Sequence, residues 1–275
     1  MIAAKKLPMG RLMKRDKFLS VVALSEKRKN LLIYLLDGPK ALDEIKGSLK
    51  VTATGVLPQI RILQQRNLVF QREDKKYALT RLGTVVATHL FPLVKTLEVI
   101  ERHETFWEEH STEAVPMPLL LRIGELGNCE LIENPPEHAY EPHREFLENL
   151  KRSKRVMGIS PVFHPIYPEF FLRLAQSGVE VSLILTRRVF ERVKEEYAGT
   201  LNDFLNLKNA EMYLCEGDIT LACVATDVFF SLSLFYKNGT FDPHRDLISY
   251  DKSALRWGKE LFNYYRKRSI KIKAM

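Results

Sequence analysis

Two sets of side chains in this 275-residue chain have the types and spacing to do chemistry. The first is Thr52, Thr54, Gln59, Arg61, Gln65 and Arg66, followed closely by Arg72, Lys75 and Lys76. A glutamine amide can pair bidentately with adenine, which makes Gln59 the best candidate for reading a base edge. Lysine and arginine neutralise phosphate whatever the sequence, a part suited to Arg66 and to the 72–76 cluster. The second set is Ser160, His164 and Tyr167, then Thr186, Arg187 and Arg188. Thr186 with Arg187 would join a cap, a helix N-terminus and a guanidinium, a combination suited to an anionic small ligand. Each set also has a plainer reading: solvated positions on an amphipathic helix, and surface arginines.

The elements able to hold the first set are legible between residues 16 and 80. A helix over 16–24 is followed by Ser25 as the N-cap of a second helix. The second carries Leu31, Leu32, Leu35 and Leu36 as a buried stripe until Asp37-Gly38-Pro39 ends it. Residues 41–49 make a short helix with Leu42, Ile45 and Leu49 inward, and Thr52 caps the next. There Val56, Ile60 and Leu63 recur at i, i+4, i+7 and must face the core, which turns Thr54, Gln59, Arg61, Gln65 and Arg66 outward. Pro58 removes one backbone hydrogen bond, so a kink or an early 3₁₀ turn is expected. Strands over 68–72 and 76–80 flank a polar tip, where Glu73 and Asp74 repel phosphate and weaken the grip of Arg72, Lys75 and Lys76. In that order the elements resemble the recognition helix and β-wing of a winged helix-turn-helix, which sets a helix in the DNA major groove.

Charge is distributed as such a reader requires. Residues 1–80 hold 17 Lys+Arg against 7 Asp+Glu, a net of +10 in a chain whose total is +8, so residues 81–275 come to −2. The positive surplus sits on the segment that would neutralise phosphate. Within 1–15, Lys5, Lys6, Arg11, Lys14 and Arg15 read either as a basic arm over the DNA backbone or as a disordered start.

Thr80 caps a further helix. Along it Val86, Leu90, Leu93, Leu97, Ile100 and Trp107 fall at spacings of four and three, interrupted by Glu104, with Pro92 bending the row. This is an a/d seam of about three heptads. Paired with a second copy it would present two recognition helices to a palindromic site about one helical turn apart. Packed on the chain's own second domain it would be structural. The domain boundaries read from these signals are 1–15 for the arm, 16–82 for the winged helix, 83–115 for a linker and dimerisation helix, and 116–270 for a second domain.

After Pro116 and Pro118 strands and helices alternate. Strands are expected over 129–133, 155–160, 180–185, 211–215, 219–225, 228–235 and 246–250, and helices over 138–152, 168–177, 187–207 and 252–267. Such alternation implies an α/β domain with a mostly parallel sheet and an antiparallel edge from the late hairpin. Ligands bind outside the carboxyl ends of such strands, where Ser160-Pro161-Val162-Phe163-His164 and Thr186-Arg187-Arg188 lie.

Several stretches taken together resemble a known family. They are LxxLLxGPKxxxEI (Leu32–Ile45), TGVLPQIRILQQRNLV (Thr54–Val69), YALTRLG (Tyr77–Gly83), LLLRIGELGNCELIE (Leu119–Glu133) and the run Arg155–Thr186. The chain is similar over about residues 20–268 to the archaeal winged-helix regulators of the methanogenesis regulatory protein family, which join an ArsR-like N-terminal domain to an effector domain. The first motifs are common to many winged helices; the two from the second domain are more distinctive. The resemblance implies a cytoplasmic DNA-binding regulator from an archaeon, a methanogen, and names no effector. The second domain is also loosely similar to phospholipase-D-like domains, whose catalytic members need HxKxxxxD. None of the seven histidines begins that motif, so a sensor is favoured over an enzyme.

Other chemistries have less support. His138 and His143, with Glu137, Glu141 and Glu145 nearby, are spaced by five and off a common helical face, so no metal and no cofactor is expected. Cys215 and Cys223 lie on strands adjacent in sequence and could approach as a redox pair, although buried free thiols are the commoner arrangement. No nucleotide-binding glycine motif and no serine nucleophile elbow occurs. No apolar run approaches the roughly 20 residues of a membrane span, and no signal-peptide core is seen, so a soluble cytoplasmic protein without a membrane partner is expected. The leading reading is a homodimeric regulator whose partners are double-stranded DNA, a second copy and a small-molecule effector. The alternatives are a phospholipase-D-like phosphodiesterase using His143 or His164, and a winged helix that serves as a protein-interaction module.

Overall fold

The computed structural model describes residues 16–134 and 143–273. The chain divides into two compact units between Val94 and Lys95. The predicted arm, 1–15, lies outside the described residues, as do His138, Glu137 and Glu141.

In the first unit α1 (Asp16–Ala23) and α2 (Glu26–Tyr34) are followed by a 3₁₀ turn, Leu35–Asp37. Gly38 then adopts φ 112°, a conformation that turns the chain out of the helix and that a side chain would oppose. Ser25 stands at the N-cap of α2 with extended backbone, but its hydroxyl makes no cap bond. Next, α3 (Leu42–Leu49) opens with the Ala41 N–H donating to the Glu44 carboxylate at 2.6 Å. Thr52 caps α4 (Ala53–Gln65), its Oγ1 accepting from the Gly55 N–H at 3.2 Å. α4 runs through Pro58 without interruption, and its first turn carries a 3₁₀-type bond from the Gly55 N–H to the Thr52 carbonyl. Losing one i+4 donor costs less than unseating Val56, Ile60 and Leu63, which are essentially buried on either side of it.

The hairpin of β1 (Val69–Gln71) and β2 (Tyr77–Leu79) is antiparallel, with Phe70 opposite Ala78. Lys40 joins its edge through paired backbone bonds with Tyr77 at 2.9 and 2.8 Å. Leu31, Leu32, Ile45, Val56, Leu63 and Leu68 are completely buried together, each stabilising the unit by about 1.5–3 kcal/mol. Thr80 then caps α5 (Arg81–Arg102), accepting from the Gly83 N–H at 2.9 Å. A Cβ on Gly83 would stand 1.9 Å from the Leu68 carbonyl oxygen, so only glycine lets this helix start against the hairpin.

The linker expected over 83–115 is not a separate element. Ala87, Leu90 and Val94 of α5 complete the first core, and Val99 lies in a core of the second unit. By length and composition alone α5 is also able to cross a membrane, which corrects the statement that no run approaches that length.

The second unit holds an eight-stranded sheet in the order β10-β6-β5-β4-β7-β8-β9-β3. Its strands are β3 (Glu130–Glu133), β4 (Arg155–Ser160), β5 (Glu180–Thr186), β6 (Ala210–Cys215), β7 (Leu221–Thr226), β8 (Phe230–Leu234), β9 (Arg245–Ser249) and β10 (Ile270–Lys271). Only β4, β5 and β6 run parallel to one another; every other pair is antiparallel. The expectation of a mostly parallel sheet is therefore wrong. β7, β8 and β9 follow one another as an antiparallel meander, whereas the parallel pairs β4–β5 and β5–β6 are joined by helical crossovers.

One sheet face is covered by α8 (Arg144–Arg152), α9 (Tyr167–Gln176), α10 (Arg187–Glu196) and α11 (Ala198–Leu205). The other packs on α12 (Lys252–Arg266) and on α6 (Glu104–Glu109) and α7 (Met117–Leu120). Trp257 of α12 is fully buried and donates its indole N–H to the Leu119 carbonyl at 2.9 Å.

Candidate nucleic-acid interface and effector cavity

On α4 the inward triad fixes the rotation of the helix, and Thr54, Arg61, Gln65 and Arg66 are exposed as expected. Thr52 and Thr54 share a hydroxyl hydrogen bond of 3.0 Å at the cap. Gln59 is half-buried, and its Oε1 accepts from Arg28 Nη1 at 2.7 Å. Arg28 also donates through Nε to the Val21 carbonyl and through Nη2 to the Ser20 carbonyl, so one guanidinium ties α1, α2 and α4 together. The exposed Lys27 sets its Nζ 3.4 Å from where a Gly55 Cβ would stand, over the first turn of α4. Sequence reasoning missed Lys27 and Arg28. The signal was the run Glu26–Asn30 at the start of α2, five charged or amide side chains ahead of Leu31.

At the hairpin tip residues 71–76 are all exposed. Asp74 accepts from the Lys76 N–H at 3.2 Å and lies 3.4 Å from the Arg72 guanidinium. It builds the turn and neutralises Arg72, rather than merely repelling phosphate. Lys75 adopts φ 64°, and neither it nor Lys76 makes an ion pair among the described residues.

The proposed seam is divided. Leu93 and Leu97 are exposed, at 53% and 44%, and Val86 and Ile100 are half-buried. Leu90 belongs to the first core. Trp107 lies beyond the end of α5, on α6, and donates to the Val99 carbonyl at 3.1 Å. A continuous seam reaching residue 107 is thus not formed.

In the second unit a cavity of about 550 Å³ opens between the sheet and α8–α11. Ser160, His164 and Tyr167 line it; Thr186, Arg187 and Arg188 do not. Arg187 hydrogen-bonds Glu216 and lies 3.9 Å from Glu191, and Thr186 makes no side-chain cap. The anion site expected there is cancelled by these carboxylates. The Ser160 hydroxyl donates to the Val162 carbonyl at 2.8 Å, and His164 packs on the Tyr167 ring with centroids 5.0 Å apart.

Of the groups that give the cavity its polarity, the sequence singled out only His143, and for other chemistry. These groups are His143, Ser231, Ser233, Asp242 and Asp246. Ser233 donates to Asp246 Oδ1. His143 Nε2 lies 3.4 Å from Asp246 Oδ2, within ion-pair range but without the alignment of a hydrogen bond, and it has no hydrogen-bond partner. Burial pushes the Asp246 carboxyl above its ordinary range, and burial together with the Asp246 charge raises the Tyr167 hydroxyl. Burial also acts on Asp242, but the His244 N–H and the Arg245 guanidinium outweigh it and hold that carboxyl below its usual range. The alternation Phe230-Ser231-Leu232-Ser233-Leu234 was the available signal, since period two puts both hydroxyls on one face.

Cys215 and Cys223 do not approach. β6 and β7 are separated in the sheet by β5 and β4, which puts about 14 Å between them at ordinary strand spacing. A disulfide needs Cα atoms within about 7 Å. Both are free and buried, and burial raises the Cys223 thiol.

Two family models match. One, described as the methanogenesis regulatory protein FilR1, N-terminal domain, covers residues 16–98, and the other, its middle domain, covers 139–268. The chain is 28% identical over 262 residues to the methanogenesis regulatory protein FilR1 of Methanothrix harundinacea (strain 6Ac). The match takes in 93% of this chain and 58% of that protein, so the chain spans little more than half of its curated relative. Among solved structures, TrmBL2, an archaeal chromatin protein described with a novel mode of DNA binding, is similar at TM-score 0.44 and 16% identity, over 88% of this chain and 92% of that one. The phospholipase D family member Nuc of Salmonella typhimurium is similar at TM-score 0.38 and 11% identity, over 53% of this chain and 98% of that one.

Proposed function

We propose, from a chain that carries the N-terminal and middle domains of the methanogenesis regulatory protein FilR1, that this protein is an archaeal DNA-binding transcription regulator. The first unit is read as an ArsR-like winged helix that sets α4 in the major groove and the hairpin tip against the backbone. The observation that carries this reading is the division of α4. Val56, Ile60 and Leu63 hold it in the core, while Thr54, Arg61, Gln65 and Arg66 stand in solvent with Lys27 and Arg28 beside them.

A second copy would pair through the exposed part of α5, centred on Leu93 and Leu97, and so read a palindrome. The second unit is read as a phospholipase-D-like domain without that fold's chemistry. It would bind an effector in the cavity and shift operator affinity by a coupling of typically about 1–3 kcal/mol. An enzyme finds less support, because no HxKxxxxD motif is present and no lysine lines the cavity among the described residues. A cytoplasmic, membrane-free protein is part of the same reading.

The test is fluorescence anisotropy of the purified chain on its own upstream intergenic DNA and on a scrambled fragment, at two salt concentrations. Selective binding that weakens with salt and is lost in Gln59→Ala/Arg61→Ala is expected. Absence of binding at either salt would sink the DNA reading in favour of a protein-interaction module.

A further inference from the structure

The cavity of the second unit has a lining uneven enough to name the chemistry of what fills it. Its body is hydrocarbon, with Phe146, Phe171, Leu183, Leu185, Val193 and Phe204 converging from five elements. Its polar end lies where β8 and β9 meet the start of α8. There Asp246 receives a hydrogen bond from Ser233 on one carboxylate oxygen only. The other oxygen, Oδ2, stands 3.4 Å from His143 Nε2. His143 is 6% exposed, and its Nε2 is sealed from solvent with no hydrogen-bond partner. With Nε2 unprotonated, these are two neighbouring acceptors in want of one donor group.

The rest of the lining decides the sign of that group. The second carboxylate, Asp242, is already engaged by Arg245 Nε at 2.8 Å and by His110 Nε2 at 3.0 Å, so its charge is met inside the protein. Beside Asp246 stands only the imidazole of His143, 3.4 Å away and out of hydrogen-bond alignment, and no lysine or arginine lines the cavity among the described residues. A carboxylate or phosphate ligand would add negative charge to an unneutralised buried acid, and the low dielectric would magnify the repulsion. A wholly apolar ligand would leave both acceptors desolvated and unpaired. An ammonium brings three donors and the missing charge, and its small head can bridge both acceptors from the cavity side.

Building on the reading of this cavity as an effector pocket, we propose that it binds a small amphiphile. The protonated amine head would bridge Asp246 and His143 from the cavity, and the hydrocarbon body would lie against Phe146, Phe171 and Phe204. Burial raises the Asp246 carboxyl, and that burial penalty is what a cationic head would offset.

The test is calorimetric titration of the full chain with n-octylamine, 1-octanol, n-octanoate and octyl glucoside. Octylamine is expected to bind one site per chain at least about tenfold more tightly than octanol, with no detectable binding of octanoate. Asp246→Asn should keep octanol binding and lose the preference for the amine. Val193→Trp, which fills the body of the cavity and leaves the carboxyl alone, should weaken octylamine by about tenfold or more. It serves as the check if Asp246→Asn does not fold. Octanoate or octyl glucoside binding as tightly as octylamine, an amine preference that survives Asp246→Asn, or no binding of any probe would overturn the proposal. Anisotropy of the operator complex with and without octylamine keeps the two readings apart. Amine binding that leaves DNA affinity unchanged upholds the ligand class and removes only the effector role.

Discussion

His110 and Asp242, 132 positions apart in the chain, meet with both side chains completely buried, the imidazole Nε2 3.0 Å from Asp242 Oδ2. The other ring nitrogen, Nδ1, lies 2.7 Å from the Phe106 carbonyl. Both ring nitrogens therefore face oxygen acceptors. It is stacked between Phe106 and Tyr236, with centroids 4.2 and 4.6 Å away. Asp242 is also a wall of the cavity. The pair therefore links the proposed effector pocket to α6 through one rigid contact inside the second unit.

His110→Ala should be costly, because it strips a buried carboxylate of a donor and empties a stacked ring site. The expected loss is about 3–5 kcal/mol, read as a lower urea midpoint at unchanged slope. Phe106→Leu keeps the ion pair and alters only the stacking, and should cost roughly 1 kcal/mol. A His110→Ala midpoint indistinguishable from that of Phe106→Leu would mean that the ion pair adds no net stability.

Asp242 and Asp246 should shift stability with pH in opposite senses. The Asp242 carboxyl is depressed, so its contribution is present above the unfolded-state value near 3.9 and is lost as pH falls through the folded value. The Asp246 carboxyl is raised, so it costs nothing in acid and destabilises increasingly as pH climbs from about 3.9 through its folded value. The wild type's advantage over Asp242→Asn should shrink below about pH 4, whereas Asp246→Asn should gain on the wild type as pH rises above about 4. Urea titrations at three pH values check both. Parallel pH profiles for wild type and the two variants would contradict the assigned directions.

Base reading and phosphate contact should separate on the first unit. Gln59→Ala should cost about 1–3 kcal/mol on the preferred operator and flatten its preference at one base pair. Lys75→Ala should weaken all sequences alike and reduce the salt slope by about one. Arg28→Ala removes the hydrogen bond that orients Gln59 and should reproduce part of its loss of selectivity. Competition anisotropy with single-base operator variants measures each. Selectivity unchanged in Arg28→Ala would reduce the Arg28–Gln59 bond to a purely structural tie.

Local patterns were legible in proportion to their periodicity. Val56, Ile60 and Leu63 fixed the face of α4, and Thr52 and Thr80 announced their caps, because these effects act within one or two turns. Strand positions were also readable to within a few residues. The order of strands was not. Nothing in residues 211–225 says that β5 and β4 intervene between β6 and β7, so Cys215 and Cys223 were expected closer than the sheet allows. The same blindness hid the polar end of the cavity. His143 and Asp246 are joined by a fold that brings the N-cap of α8 over β9, and Asp246 alone on its strand carried no signal. Thr186–Arg188 looked like a site because the residue types were right; Glu191 stands one turn on in the same helix, but the tertiary partner Glu216, which completes the neutralisation of Arg187, carried no local signal.

The last prediction concerns α5. At 100° per residue, Leu82, Val86, Leu93, Leu97 and Ile100 fall within an arc of about 60° along some 27 Å of helix. Leu82, Leu93 and Leu97 in that row are exposed, a stripe the chain's own cores leave uncovered. Leu90, displaced from the stripe towards Ala87 and Val94, serves the first core. Leu93→Glu/Leu97→Glu should therefore convert a dimer to a folded monomer in sedimentation velocity, with the urea midpoint little changed and operator binding cut to that of one half-site. Leu90→Ala should do the reverse, lowering stability by about 2–5 kcal/mol while dimer formation persists at low temperature. A wild-type chain that sediments as a monomer at all concentrations would end the dimer reading, and a dimer untouched by the double glutamate would transfer the interface to another surface.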